Sequence, residues 1–184
     1  KAVVVRGKQR PTIAEPETFK RLQKWGTANL EATGMDGFGK YGTPGVTVPQ
    51  DKVGGLPTFN FNSGTFDKAE EIDGIKLFKE HLRGHEKDDQ NRFGRDTCFS
   101  CAVKCKRVTE IADGPYKTEA KYGGPEYETI ATFGSYCGIS DMAAIIRANA
   151  LCNMYGMDTI SCGATIAWAM ECWAEGKLNA EDTG

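Results

Sequence analysis

Three cysteines fall within eight residues, Cys98-Phe-Ser-Cys101-Ala-Val-Lys-Cys105, followed at once by Lys106 and Arg107. No other feature restricts the chain so tightly. Thiols two and three positions apart converge on one centre only if the backbone wraps around it, and thiolates suit soft metals. The C-x2-C-x3-C run therefore reads as a cradle for an iron-sulfur cluster. A 4Fe-4S cluster normally takes four thiolates, so the remaining ligand would come from a distant part of the chain or from residues outside it. The alternatives are a zinc knuckle or three unligated thiols, although zinc sites favour paired C-x2-C units set well apart.

The other 176 or so residues set the frame, roughly a single-core domain by size. The chain has 184 residues, is 40% apolar and carries a net charge of -2, which is the composition of a soluble globular domain. No run approaches the roughly 18 apolar residues of a membrane helix. No charged start leads into an apolar stretch and a cleavage site. A cytoplasmic location with no membrane partner is expected. Near-neutral charge without a basic face argues against nucleic acid. The cysteines are too irregularly placed for a disulfide framework, so reduced thiols are expected. Cys137, Cys152, Cys162 and Cys172 lie singly in apolar or helical context, where a thiol is usually buried and inert.

The expected fold is mainly α, with a long irregular Gly/Pro-rich region and an N-terminal strand. Lys1-Ala-Val-Val-Val-Arg-Gly7 reads as a buried strand, yet no partner strand follows, and a lone strand is not stable. Residues 1–7 are therefore expected to be the exit strand of an upstream β-rich domain, and 8–184 a helical domain incomplete at its C-terminus. Phe19, Leu22, Trp25 and Leu30 predict a helix from Pro16 to about Ala32. Glycines and prolines crowd residues 33–66, which predicts ordered loop or short helices. Residues 67–95 are polar, with Glu86-Lys-Asp-Asp-Gln-Asn-Arg92 at their centre, and read as solvated surface. His81 and His85 stand four apart, but charged flanks, Gly84 and the lack of a third ligand speak against a metal pair. A strand and turn are expected over Val108–Lys121, with Asp113-Gly-Pro115 at the turn. Helices follow, one capped by Ser140-Asp141 and closed by Tyr155-Gly156, the next running from about Ser161 to Gly176.

Two further stretches go beyond generic pattern: Gly124-Pro-Glu-Tyr-Glu-Thr129 and Asn149-Ala-Leu-Cys-Asn-Met-Tyr-Gly-Met-Asp-Thr-Ile-Ser-Cys-Gly-Ala164. In order and spacing with the cysteine run, they resemble the tungsten-containing aldehyde ferredoxin oxidoreductase family over nearly the whole chain. The resemblance implies that Cys98, Cys101 and Cys105 ligate a 4Fe-4S cluster, with a fourth cysteine in a domain absent here. It implies that the helix hinge holds one of two pterins chelating tungsten (or molybdenum). Of the family's D-x-x-G-L-D pattern, Gly156 and Asp158 fit, Met157 stands for Leu and Asn153 for the first Asp. The amide still accepts from pterin N–H groups while one negative charge is lost.

Glu128 matches a glutamate that looks out at the metal in the family. It would orient or deprotonate a water or hydrated aldehyde. Glu126 is its rival, since on an extended strand both would share one side. The activity implied is oxidation of a small aldehyde to a carboxylic acid, with electrons passing to ferredoxin. Relatives reducing carboxylates or aromatic thioesters share these motifs. A non-catalytic iron-sulfur electron-transfer module and a zinc-stabilised helical domain are the readings from other classes. Lys104, Lys106 and Arg107 would offset the anionic cluster and dock an acidic ferredoxin, or form a solvated basic turn. Some members bridge a homodimer through iron held by a Glu-x-x-His pair. The corresponding residues here are Arg147 and Ala150, so that iron is not expected, and a homodimer would use other surfaces.

Overall fold

In the computed structural model, residues 3–87 and 92–183 are described. Residues 3–13 adopt no regular element, and Val3, Val4 and Val5 stand exposed. Residues 1 and 2 of the expected exit strand, and 88–91 of the polar run, lie outside the described residues.

Helix α1 (Pro16–Ala28) starts on a proline at its first turn, as expected, but stops short of Ala32. The Asn29 amide turns back to the Trp25 carbonyl at 2.7 Å, and the Asn29 N–H bonds Gly26. That local competition ends the helix and leaves Leu30 off its face. α1 buries no residue.

The Gly/Pro-rich region resolves into short helices, α2 (Asp36–Tyr41), a 3-10 turn (Thr43–Val46) and α3 (Thr47–Lys52). A correction concerns residues 67–95. Their described part is not all solvated surface: Ala69, Ile72, Leu77, Phe78 and Leu82 lie in the hydrophobic core. A 3-10 turn (Ala69–Ile72), α4 (Gly74–Lys76) and a π-helical turn (Leu77–His81) follow one another, and the Leu82 N–H reaches back five residues to the Leu77 carbonyl. Each change of helical pitch rotates the apolar residues inward at intervals that no single period describes.

The sheet is minimal. β1 (Arg95–Asp96) pairs antiparallel with β2 (Lys106–Arg107), with Arg95 opposite Arg107. The expected strand and turn over 108–121 reduces to single bridges, Leu82 with Thr109 and Ile111 with Thr118.

The second half supplies most of the remaining core. α5 (Tyr127–Phe133) is buried from Thr129 to Phe133, and a 3-10 turn (Ser135–Cys137) continues beneath it. α6 (Met142–Tyr155) and α7 (Thr159–Ala174) pack around it, and α8 (Ala180–Thr183) ends the chain's described part. Asp141 caps α6 through the Ala143 and Ala144 N–H groups, and Gly156 closes it in the left-handed region, as the sequence predicts. α7 approaches α5 through small residues. A Cβ added at Gly163 would lie 2.8 Å from the backbone carbonyl carbon of Thr132.

Candidate functional site

The three thiols sit on the loop between β1 and β2. Cys98 and Cys101 are exposed and Cys105 is half-buried. The Cys101 N–H turns onto the Cys98 carbonyl at 3.1 Å, and the Thr97 hydroxyl ties down the Cys101 carbonyl at 2.6 Å. Ser100 and Lys104 take positive φ values of 57° and 58°, an uncommon conformation outside glycine that sharpens the loop's two bends. Phe99 is fully exposed between the first two thiols. The donor chemistry fits three ligands of a thiolate-held cluster. The sulfurs are not gathered, however: among the described residues no three His, Cys, Asp or Glu side chains are grouped so as to hold a metal ion.

Beneath the loop lies a residue whose role the sequence did not disclose. Arg107 was expected with Lys104 and Lys106 as an external cation or part of a solvated turn. It is instead 1% exposed. Its guanidinium donates to the carbonyls of Gly39, Lys40, Lys104 and Cys105. Burial and the facing Arg95 push its pKa down to about 10, against the pull of Glu126 and Cys105. Lys104 and Lys106 remain exposed, Lys106 pairing with Asp96 at 3.4 Å. The glycines carried the available signal. A Cβ at Gly39 would meet the Val103 carbonyl at 2.6 Å, and one at Gly42 the Arg107 Nε at 2.8 Å. Glycine at these positions lets α2 and the loop backbone touch.

Glu126 and Glu128 do not share a strand. Glu126 occupies the N-cap position of α5, and Glu128 lies in that helix's first turn, which places them on different sides. Glu126 is engaged: the Thr43 hydroxyl donates to its carboxylate, and the same hydroxyl oxygen accepts the Tyr127 N–H at 2.9 Å. Glu128 is exposed, and its charge helps raise the Tyr127 and Tyr136 phenols, after burial.

The helix hinge is exposed from Asn153 to Asp158. Asn153 donates to the Tyr122 carbonyl at 3.0 Å and to the Asn149 side-chain Oδ1 at 3.4 Å, while the buried Asn149 Nδ2 has no hydrogen-bond partner among the described residues. Gly156 (φ 70°) and Met157 return their N–H groups to the end of α6. Asp158 accepts from both the Ser161 N–H and its hydroxyl at 2.7 Å, capping α7. The polar edge at Asn153 and the orphan amide beside it suit a heteroaromatic ligand rich in N–H and carbonyl groups.

One cavity of about 590 Å³ is lined by Lys106 and Arg107, which follow the third cysteine, by Lys121, Tyr122, Gly123, Gly124 and Glu126, and by Asn153 of the hinge, while the three cysteines, Glu128, Gly156, Met157 and Asp158 are not among its lining residues. β2, the Gly-Pro-Glu segment and Asn153 thus border one space. Elsewhere, His85 bonds the Leu82 carbonyl, and burial lowers the His81 pKa. Arg147 donates to the Lys117 carbonyl and Ala150 is buried. No helix among the described residues is long and apolar enough to cross a membrane.

Comparison with known proteins agrees with the motifs. A tungsten-containing aldehyde ferredoxin oxidoreductase of Pyrococcus abyssi is 36% identical over 186 aligned residues, covering 100% of this chain and 28% of the relative. One from Thermococcus kodakarensis is 33% identical over the same shares. The aliphatic sulfonate oxidoreductase, WOR-like subunit, of Pyrococcus furiosus is 31% identical over 86 residues, 47% of this chain and 14% of the relative. The chain therefore spans about 28% of the length of the aldehyde ferredoxin oxidoreductases it matches. The family described as aldehyde ferredoxin oxidoreductase, domains 2 & 3, matches residues 17–184. With all three motifs in order along that match, the chain belongs to the aldehyde ferredoxin oxidoreductase family.

Proposed function

We propose that this chain is part of an enzyme that oxidises small aldehydes to carboxylic acids with ferredoxin as electron acceptor. The observation that supports this reading is the cavity shared by Arg107, two residues after Cys105, Glu126, two before Glu128, and Asn153 of the hinge. Cys98, Cys101 and Cys105 would provide three ligands of a 4Fe-4S cluster, and Asn153, Gly156, Met157 and Asp158 the rim of a pterin site. When bound, a tungsten (or molybdenum) bis-pterin and the cluster supply the two-electron oxidation and the onward passage of single electrons.

The protein's share is positional and protic. The Tyr122 bond fixes the Asn153 amide, leaving its oxygen as an acceptor for a ring N–H. Glu126 is held by Thr43 and anchors its segment. Glu128 is exposed and can take the proton from a water or hydrated aldehyde. Missing domains of the same polypeptide would complete the site, in the cytoplasm.

The test is elemental analysis of the full-length protein, purified without oxygen, beside its Cys101→Ala variant. The native protein should contain tungsten or molybdenum with iron and sulfide, and the variant should lose iron, sulfide and the broad visible absorption of a thiolate-ligated centre. Iron and sulfide unaltered by Cys101→Ala would remove the cluster from this loop. Similarity to a sulfonate oxidoreductase subunit favours a second substrate class, so aliphatic sulfonates belong in the same turnover assay as aldehydes.

A further inference from the structure

The position of Arg107 is expensive to maintain unless it serves the loop above it. A guanidinium buried to 1% exposure gives up its hydration, and a carboxylate in direct contact would ordinarily compensate. No ion pair to Arg107 is found among the described residues. Its compensation is four backbone carbonyls drawn from two segments. Nε bonds Cys105 at 3.1 Å and Nη2 bonds Lys104 at 2.7 Å. Nη1 bonds Lys40 at 2.6 Å, and Nη2 also bonds Gly39 at 3.0 Å. The first pair belongs to the last thiol and the residue before it. The second pair belongs to the final turn of α2, whose carbonyls carry the negative end of the helix. One planar fork therefore clamps the thiol loop to a helix end, a geometry lysine cannot reproduce.

The surroundings are shaped to the clamp. A Cβ at Gly42 would lie 2.8 Å from the Arg107 Nε, and one at Gly124 2.9 Å from the Arg107 Cβ. Across the ladder Arg95 faces Arg107, and Arg95 Nε is buried without a hydrogen-bond partner. Like charges directly opposite are unfavourable in a two-stranded ladder. The Arg107 guanidinium, against the Lys104–Cys105 backbone, and the facing Arg95 would be favoured by an anion held at the loop.

We propose that Arg107 is the positioning residue of the thiol loop: its fork fixes the Lys104–Cys105 backbone against α2, and its buried charge favours the more negative, reduced state of the group the thiols hold. This inference rests on the cluster reading given above. Lys106, exposed and paired with Asp96, contributes less because solvent and salt screen it.

Two measurements on the full-length protein test it. The first is the one-electron midpoint potential of the iron-sulfur centre in Arg107→Gln, Arg107→Lys and Lys106→Gln. Arg107→Gln should lower the reduced-to-oxidised ratio at a fixed poise about tenfold, equivalent to about 59 mV for one electron. Arg107→Lys should keep most of the native potential, and Lys106→Gln should shift it several-fold less than Arg107→Gln. The second is the alkylation rate of Cys105 after chelation of the iron, which should rise about tenfold in both Arg107 variants as the clamp is lost. Gly124→Ala leaves the charge in place but presses on the Arg107 Cβ, and should accelerate alkylation even if Arg107→Gln does not fold. Native potential in Arg107→Gln, or native alkylation in Arg107→Lys and Gly124→Ala, overturns the inference while the cluster stands. A native protein devoid of iron and sulfide overturns both.

Discussion

Glu126 and Glu128 differ by two positions and by everything that decides whether a carboxylate can act as a base. Glu126 receives the Thr43 hydroxyl and lies close enough to Arg107 to stabilise its charge, so its carboxylate is engaged in holding its own segment in place. Glu128 stands in solvent on the first turn of α5. Glu128→Gln keeps shape and hydrogen bonding but cannot accept a proton, so aldehyde turnover in the full-length protein should fall about 100-fold or more. Metal and iron contents should stay native. Glu126→Gln should act chiefly on stability, because the amide still accepts from Thr43. If Glu126→Gln abolishes turnover with native cofactor content and Glu128→Gln leaves it unchanged, the roles are reversed. The sequence disclosed both glutamates but not this division, since it follows from the helix starting at Tyr127 and from a threonine 83 positions away. Arg107 was illegible for a related reason: Lys-Cys-Lys-Arg has the composition of a solvated turn, and only the glycines at 39, 42 and 124 hinted that backbone would close over it.

Among the elements, α6 could be read almost to the residue because it carries local punctuation, whereas α7 begins two residues before the expected Ser161, on an Asp158 cap, and ends at Ala174. Asp141 and Asp158 cap, Gly156 and Gly176 close with positive φ, but of α7 only Gly163 and Ala167 are buried, while Ile166, Met170 and Trp173 stand exposed. The core of 69–82 was illegible because three helical pitches succeed one another there, and no single periodicity samples them. The hinge between α6 and α7 gives Asp158 a double burden. Its carboxylate satisfies the Ser161 N–H and hydroxyl at the start of α7, so Asp158→Ala should cost about 1 kcal/mol of stability through the cap alone. Asp158→Asn separates the roles, because asparagine caps about as well as aspartate yet brings no negative charge. Thermal unfolding of Asp158→Asn should match the native protein while its tungsten and pterin contents fall. Full pterin in Asp158→Asn and Asp158→Ala alike would reduce Asp158 to a cap.

At the scale of the molecule, the proposed cluster would ask for one thiolate more than the Cys98–Cys105 loop supplies. The seven cysteines are Cys98, Cys101 and Cys105 on one loop, Cys137 and Cys152 buried, and Cys162 and Cys172 half-buried on α7. Burial pushes the Cys137 thiol up to about 11, and the thiol donates to the Thr132 carbonyl inside the core. The loop therefore offers three thiolates where a 4Fe-4S cluster normally takes four. Large apolar side chains on α1 and α7 also remain uncovered, among them Trp25 at 56% and Trp168 at 55% exposure. The 184-residue chain reconstituted by itself with iron and sulfide should then bind a cluster weakly, lose its visible absorption on desalting and show no aldehyde oxidation, while the full-length protein keeps both. Cys137→Ser and Cys152→Ser should leave that weak binding unchanged, whereas Cys105→Ser should abolish it. If the chain alone retains four irons and four sulfides through desalting, a fourth ligand lies within these 184 residues, and the same serine series, extended to Cys162 and Cys172, identifies it.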